Sequence, residues 1–594
     1  MLQRCCPWAA EILSASLTRP KLRSPTKALQ KKRLFRSRKA SRLSYYHAPS
    51  NVPLLPLTVG QVIDRAADTM GDNMAIISCH QNISRTYVQY KLDVDHLAAA
   101  LVSLRLPLGS MIGIVASNIY EWLVVQFASA KAGLILVNVN TAYQVPEMEY
   151  CLKTVDCAAV ILSEKFSRQD YYSMMLQIAP ELEHSKPGEL KCKKLPRLKY
   201  VILLGDETKP GTIRYDDLMA QATSKDYATV DMIENQIRFD SPVNVQFTSG
   251  TTGKPKGALL SHFNIVNNAN STGLLLGLDK NDVICLNVPM IHCFGCVMGS
   301  LAASVFGSTV VMPAPGFNAV ASLEAITKQK CSVIYGTPTM YIDLLRHLND
   351  SSYDVSSVRK GIMAGAPCPP EVVKKSMERL NVKRLCICYG STECSPVITA
   401  TSPDEPLEKW IHTVGKPLGH VEVKVVDPNN NIVPLGTRGE LCARGYLVFA
   451  RYYNQPDKTK DAVRDHWYHT GDEAIMTEDG QVIISGRIRD MICRGGENVY
   501  PLEVEEFLYT HPDIEEVQVV GVPDERLGEE VCAWIKLKQG KSLTEDDVKK
   551  FCEGKISHFK TPKYILFVDT FPKTVSGKIQ KFKMREESRK KLNL

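Results

Sequence analysis

Residues 246–257 read QFTSGTTGKPKG, and the reading of this stretch decides the rest of the chain. It follows an apolar run and crowds hydroxyls, glycines and two lysines into one short loop. Such a loop can wrap backbone N–H groups and hydroxyls around a polyphosphate, with Lys254 and Lys256 adding charge. Thr248, Ser249, Gly250, Thr251, Thr252, Gly253, Lys254 and Lys256 are therefore candidate phosphate ligands. The spacing is not that of a Walker A loop, because Gly250 stands only three residues before Gly253 and Pro255 follows Lys254 where a hydroxyl is required.

Working outward, the flanking sequence alternates strand and helix from about residue 58. MIGIVAS precedes NIYEWLVVQFASAKAG, and VICLNVP, STVVMP, CSVIYGTP, GIMAGAP and LCICYG are each followed by a helix-compatible segment. This pattern predicts an α/β protein whose parallel sheets carry helices on both faces. After about residue 410 the texture becomes short alternating strands with turns, the mark of a small β-rich subdomain. From about Asp490, helical PLEVEEFLYTHP and TEDDVKKFCEGK mix with strands EEVQVVGV and VCAWIKLK, which predicts a compact α+β domain of about 100 residues. The expected divisions are a leader over 1–43, a large domain over 50–488 with its β-rich part at 410–488, and a C-terminal domain over 490–594.

A chain of 594 residues is too long for one ordinary core, and 44% hydrophobic with 23% charged residues fits a globular enzyme. The net charge of +8 is unevenly placed: residues 1–50 hold 12 Lys/Arg and one acid, Glu11, leaving 60 bases against 63 acids in the body. The folded part therefore lacks the basic excess of a nucleic-acid binder. The leader is Arg-, Lys- and Ser-rich without a continuous apolar stretch, like a mitochondrial transit peptide, with cleavage expected near Ser44. The 18 cysteines follow no framework of spacings, which fits reduced thiols. Residues 283–323 carry no Asp, Glu, Lys or Arg, but Pro289, Pro313 and Pro315 interrupt them, so buried parallel strands are expected there and no transmembrane segment. Nothing in the sequence sets an oligomeric state.

Further motifs follow in order: AGAP at 364–367, YGSTE at 389–393, YHTGD at 468–472, GRIRDMICRGGENVYPLEVE at 486–505 and PKTVSGKIQK at 572–581. With the opening loop they make the chain resemble the adenylate-forming acyl-CoA synthetase family from about residue 55 to the C-terminus. YGTPTM, RGGENVYP and GKISHFKTPKYILFV make it most similar to the mitochondrial medium-chain members. The resemblance implies the acyl-CoA synthetase/luciferase-like fold with a mobile C-terminal domain. It also implies a fatty acid:CoA ligase that uses ATP, coenzyme A and Mg2+ on medium-chain fatty acids in the mitochondrial matrix.

The chemistry accounts for the residue types. A carboxylate attacks the α-phosphorus of ATP, pyrophosphate leaves, and the thiol of coenzyme A then opens the mixed anhydride. Two anions have to meet, so cations and dipoles matter more than an acid or base. By resemblance, Glu393 and Thr248 hold Mg2+, the ring of Tyr389 lies on adenine, and Thr392 contacts the α-phosphate. Asp472 accepts the ribose hydroxyls beside Arg487, and Gly365, Ala366 and Gly390 complete the ATP site. Lys578, which alone would read as a solvated charge, becomes the lysine bridging substrate carboxylate and α-phosphate. His292 stands beside the acyl and pantetheine channels. Ile291, Phe294, Met298, Tyr335, Gly336 and Thr337 are expected to line the acyl tunnel; Gly495, Gly496 and Asn498 to receive coenzyme A; and Arg489 to act as hinge.

Cys293 and Cys296 form a single CxxC with no second pair at zinc spacing, so two small thiols buried in a helix are expected. Three other functions compete. An amino-acid-adenylating module would present an Asp where this chain reads HCFGC. A luciferase-like oxygenase would need oxygen and emit light. A catalytically silent nucleotide-binding protein would release no pyrophosphate with octanoate, and the intact Lys578, Glu393 and Asp472 argue against it.

Overall fold

A computed structural model describes residues 42–248, 255–348, 353–495, 497–574 and 577–594. The leader up to Ser41, the phosphate loop from Ser249 to Lys254, and Gly496 lie outside the described residues.

Two large sheets dominate. In one, Arg384–Gly390, Lys360–Ala364, Val333–Gly336, Val283–Leu286, Thr309–Met312 and Met74–Ser78 run parallel in that order, with antiparallel strands at both edges. In the other, Tyr200–Leu204, Ala159–Ser163, Met111–Val115, Ile135–Asn138 and Pro242–Thr248 run parallel, and Lys256–Ser261 returns antiparallel beside the last. Runs such as VICL and TVVM are apolar throughout because these strands are covered on both faces. The charge-free stretch resolves into two adjacent parallel strands joined by a helical crossover, and among the described residues no helix is long and apolar enough to cross a membrane. The helix His262–Leu276 touches strands of both sheets, so it lies in the core between them. Ser261 caps it by accepting from the Asn264 N–H.

A third, antiparallel sheet contains Val421–Val426, Gly439–Gly445, Trp467–Met476 and Val482–Arg487. Its edge is Tyr45–His47, paired with Val421–Val426. Ser44 is buried, and the Leu435 N–H donates to the Arg42 carbonyl, so the expected processing point near Ser44 falls within chain that is already part of this sheet. Conversely, Arg451–Tyr452 leaves the β-rich region to join the edge of a large sheet beside Lys256–Ser261.

The C-terminal part has its own five-stranded sheet, with helices Pro501–Tyr509, Glu545–Cys552 and Lys581–Leu592 and separate apolar cores. It meets the large body through polar contacts: the Tyr500 hydroxyl donates to Glu473 (2.7 Å), Arg438 stacks on the Tyr500 ring, and Arg346 pairs with Glu515.

Candidate active site

Neighbouring parallel strands end together, and their carboxyl ends carry the candidate residues. Val333–Gly336 leads into Thr337, Lys360–Ala364 into Gly365 and Ala366, and Arg384–Gly390 into Thr392 and Glu393. Ligands of open α/β sheets bind outside such ends. Gly365 has φ +87°, a backbone that disfavours any side chain, and a Cβ on Gly390 would fall 1.9 Å from the Pro396 carbonyl oxygen. Gly365 is thus required by its backbone conformation, and Gly390 by the close approach of the neighbouring strand.

Asp472 and Arg487 are cross-strand partners, with Arg487 Nε 2.8 Å from Asp472 Oδ1. The Tyr389 hydroxyl donates to the other carboxylate oxygen at 2.6 Å, which brings two distant motifs together. Burial raises the Asp472 pKa and Arg487 opposes the shift, while burial and the nearby carboxylate push the Tyr389 phenol far up.

Glu393 is 6% exposed and lies in the turn Thr392–Cys394. Its Oε1 accepts from the Tyr452 hydroxyl at 2.7 Å, and the Phe449 N–H fixes its backbone carbonyl at 2.8 Å. Lys256 does not project freely: its ammonium donates to the Tyr452 oxygen at 2.9 Å. The Thr248 hydroxyl oxygen, at the end of strand Pro242–Thr248, is buried without a hydrogen-bond partner among the described residues.

Lys578 comes from the other domain and stands in this cleft. A methyl group on Gly365 would lie 4.0 Å from its Cε, and one on the preceding Gly577 would lie 3.5 Å from the Thr337 hydroxyl. Lys578 is open to the cleft yet hemmed in by protein, and this crowding, followed by Arg487, lowers its pKa. His292 is pushed down to about 3 by burial and then by the Lys578 charge, so its ring is neutral at physiological pH. His292 Nε2 is buried and unpartnered among the described residues.

The expected tunnel residues are only partly gathered. Phe294 and Tyr335 have ring centroids 5.9 Å apart, and Ile291, Met298, Tyr335, Gly336 and Thr337 are buried. A cavity of about 50 Å³ adjoins them, but of the expected set only Ile291 lines it, beside Phe166, Phe317 and Met340. A cavity of about 380 Å³ lies elsewhere, against Leu54, Leu274 and Pro417. Cys293 and Cys296 are buried thiols as expected, at the start of a π-helix, Phe294–Leu301.

Gly495 (φ +58°) and Asn498 are exposed on the hairpin of Ile492–Arg494 and Glu497–Val499. Arg489 lies in the turn Ile488–Asp490, where Asp490 pairs with Arg585 at 2.8 Å.

Sequence reading missed Tyr452 and also Tyr468, whose hydroxyl accepts from Ser391 at 3.3 Å. Tyr468 stood inside a quoted motif, but Tyr452 carries no local signal, since only sheet pairing brings it to Glu393.

Residues 63–453 match the AMP-binding enzyme family, and residues 503–578 match the AMP-binding enzyme C-terminal domain. The chain is 47% identical over 555 residues to the mitochondrial medium-chain acyl-CoA ligase ACSF2 of Danio rerio, covering 93% of this chain and 91% of that one. Among solved structures it resembles the anthranilate CoA ligase AuaEII in complex with anthranoyl-AMP, with TM-score 0.79, 25% identity, and coverage of 91% and 99% of the two chains. It also resembles ATP-bound MatB from Rhodopseudomonas palustris, with TM-score 0.78, 26% identity, and coverage of 91% and 100%.

Proposed function

The chain belongs to the AMP-binding enzyme family, and on that premise we propose that it is an ATP-dependent fatty acid:CoA ligase. Its acids are medium-chain, in keeping with the name of the relative from Danio rerio. The observation that carries this reading is Lys578, brought from the C-terminal domain to the strand ends that hold Thr337, Gly365, Thr392 and Glu393. A cation there meets both the substrate carboxylate and the α-phosphate, the two anions whose repulsion limits the first step.

In that step the carboxylate oxygen bonds to the α-phosphorus and pyrophosphate leaves. Tyr389 faces adenine, Asp472 and Arg487 hold the ribose side, Thr392 contacts the α-phosphate, and Gly365, Ala366 and Gly390 leave room for the nucleotide. Glu393 and Thr248 suit Mg2+, since both offer hard oxygen donors and the Thr248 hydroxyl lacks a partner among the described residues. When bound, the ion neutralises charge on the phosphate oxygens. In the second step the coenzyme A thiol attacks the acyl carbon and AMP leaves. His292, being neutral, adds no charge near the acyl group.

The second step calls for the domain 490–594 to turn about Arg489 against the body 50–488, so that Gly495, Gly496 and Asn498 line the pantetheine path. The acyl tunnel runs past Ile291, Phe294, Met298, Tyr335, Gly336 and Thr337. The basic leader and the mitochondrial relative favour the mitochondrial matrix, with maturation at or before Arg42, whose carbonyl the folded sheet uses.

The test is pyrophosphate release with ATP, Mg2+, coenzyme A and a series of C4 to C18 acids. The greatest rate is expected near octanoate; no release with any acid overturns the reading, and a maximum at C16 or beyond overturns the medium-chain assignment.

A further inference from the structure

We propose that Tyr452 is a positioning residue that keeps Lys256 from neutralising Glu393 and holds the carboxylate ready for a metal ion. The proposal rests on the ligase reading above. Tyr452 is 2% exposed and lies on the short strand Arg451–Tyr452, directly opposite Ala258 and thus beside Lys256. Its ring is clamped by Phe449, with centroids 4.7 Å apart, and its backbone N–H donates to the Thr459 hydroxyl at 3.0 Å. The Phe449 N–H in turn donates to the Glu393 carbonyl. The phenol and the carboxylate are therefore fixed to the same piece of backbone.

The direction of the hydrogen bonds follows from the groups themselves. An ammonium can only donate, so the Tyr452 oxygen accepts from Lys256 at 2.9 Å and its single proton points at Glu393 Oε1, 2.7 Å away. The Lys256 Nζ also sits 4.2 Å from the centre of the same ring. Among the described residues the two side chains are joined through the Tyr452 hydroxyl and not by a direct ion pair. The phenol thus spaces a cation from an anion that would otherwise meet, occupies one carboxylate oxygen with a neutral donor, and leaves Oε2 to a metal. This differs from the expectation that Lys256 contacts phosphate, because its ammonium is already engaged.

Removing only the hydroxyl, Tyr452→Phe, lets the flexible Lys256 stem close on Glu393, where the ammonium competes with the divalent ion. Removing the lysine as well takes that competitor away. Calorimetric titration of the full chain with ATP, in Mg2+ and separately in EDTA, reads this without any acyl substrate. Tyr452→Phe should lose about tenfold of the Mg2+-dependent gain in ATP affinity, with unchanged affinity in EDTA. The double variant Tyr452→Phe/Lys256→Met should recover most of that gain, a non-additivity that a merely structural role for the ring would not produce. Lys256→Met alone, which keeps the phenol, reads separately whether the lysine also touches phosphate, because only a phosphate ligand would lower the affinity in EDTA.

A full Mg2+ gain in Tyr452→Phe, or a double variant no better than Tyr452→Phe, overturns the proposal. So does a fall in EDTA affinity for Lys256→Met, which would make the lysine a direct phosphate ligand. If the ligase reading fails instead, pyrophosphate release is absent in the parent while this binding series remains interpretable.

Discussion

Lys578 and the Gly495 hairpin belong to the same small domain, yet they meet opposite surroundings. Lys578 is crowded by Gly365, Thr337 and the charges of Arg487, Glu393 and Asp472, while Gly495 and Asn498 face outward. A single arrangement thus serves one half of the proposed chemistry. On the proposed reading Lys578 already stands where adenylation needs a cation while Gly495 and Asn498 are exposed, so the second half would require the domain to move as a body. The contacts between the domains suit that motion. Among the described residues, Tyr500 with Glu473, Arg438 over Tyr500, and Arg346 with Glu515 are polar contacts between the two parts, compatible with the proposed motion.

The strongest way to break the comparison is to remove each end in turn. Lys578→Ala should lower acyl-adenylate formation by about two to three decades, the cost of about 3 to 4 kcal/mol of lost electrostatic stabilisation. Conversion of supplied acyl-adenylate to thioester should remain near the parent rate. Gly496→Leu should do the reverse. Stopped-flow measurement of each half-reaction decides the matter, and equal damage to both steps in either variant would end the alternating-face account. Glu393→Gln belongs with the first group: it removes charge at nearly constant volume, and pyrophosphate exchange should fall by about two decades.

Much of this arrangement was legible in the sequence, for a physical reason. Thr392 and Glu393 follow the carboxyl end of strand Arg384–Gly390, and Asp472 and Arg487 face each other on two paired strands, so each could be located from a short local stretch of sequence. The alternation of apolar runs and helices likewise gave the two parallel sheets. Relations that exist only through sheet pairing were not legible. Tyr452 meets Glu393 across 59 positions because Arg451–Tyr452 extends a sheet begun elsewhere. Tyr45–His47 reads as the tail of a basic leader until its partner Val421–Val426 is known. The small cavity beside Ile291 is lined by Phe166 and Phe317 from distant parts of the chain, which no motif signals.

Smaller effects should come from the hinge and the interface. Arg489→Pro restricts φ in the turn Ile488–Asp490, and thioester formation is expected to slow several-fold while adenylation changes little. Tyr500→Phe removes one interdomain hydrogen bond, of about 1 kcal/mol, and should weaken the present orientation by about fivefold. The expected sign is a slower first step and an unchanged or faster second one. If Tyr500→Phe slows both alike, the contact belongs to the fold and not to the choice between faces.

The smallest effect tests whether Lys578 dwells where it is found. His292 is held at about 3, first by burial and then by the Lys578 charge, against an ordinary value near 6.5. The unfolded chain therefore takes up a proton near pH 6.5 that the folded site refuses until about 3. The contribution of this site to stability is complete above the unfolded value and is lost as pH falls through that window. Melting temperature should drop between pH 7 and pH 5, and less steeply in His292→Gln. In Lys578→Ala one of the two causes disappears, so the ring should titrate higher, while burial, the larger cause, keeps it below the ordinary value. Titration of the His292 ring by NMR reads the difference. An unchanged value in Lys578→Ala would mean that in solution the lysine does not stand beside His292, and the crowded face would then be the rarer of the two.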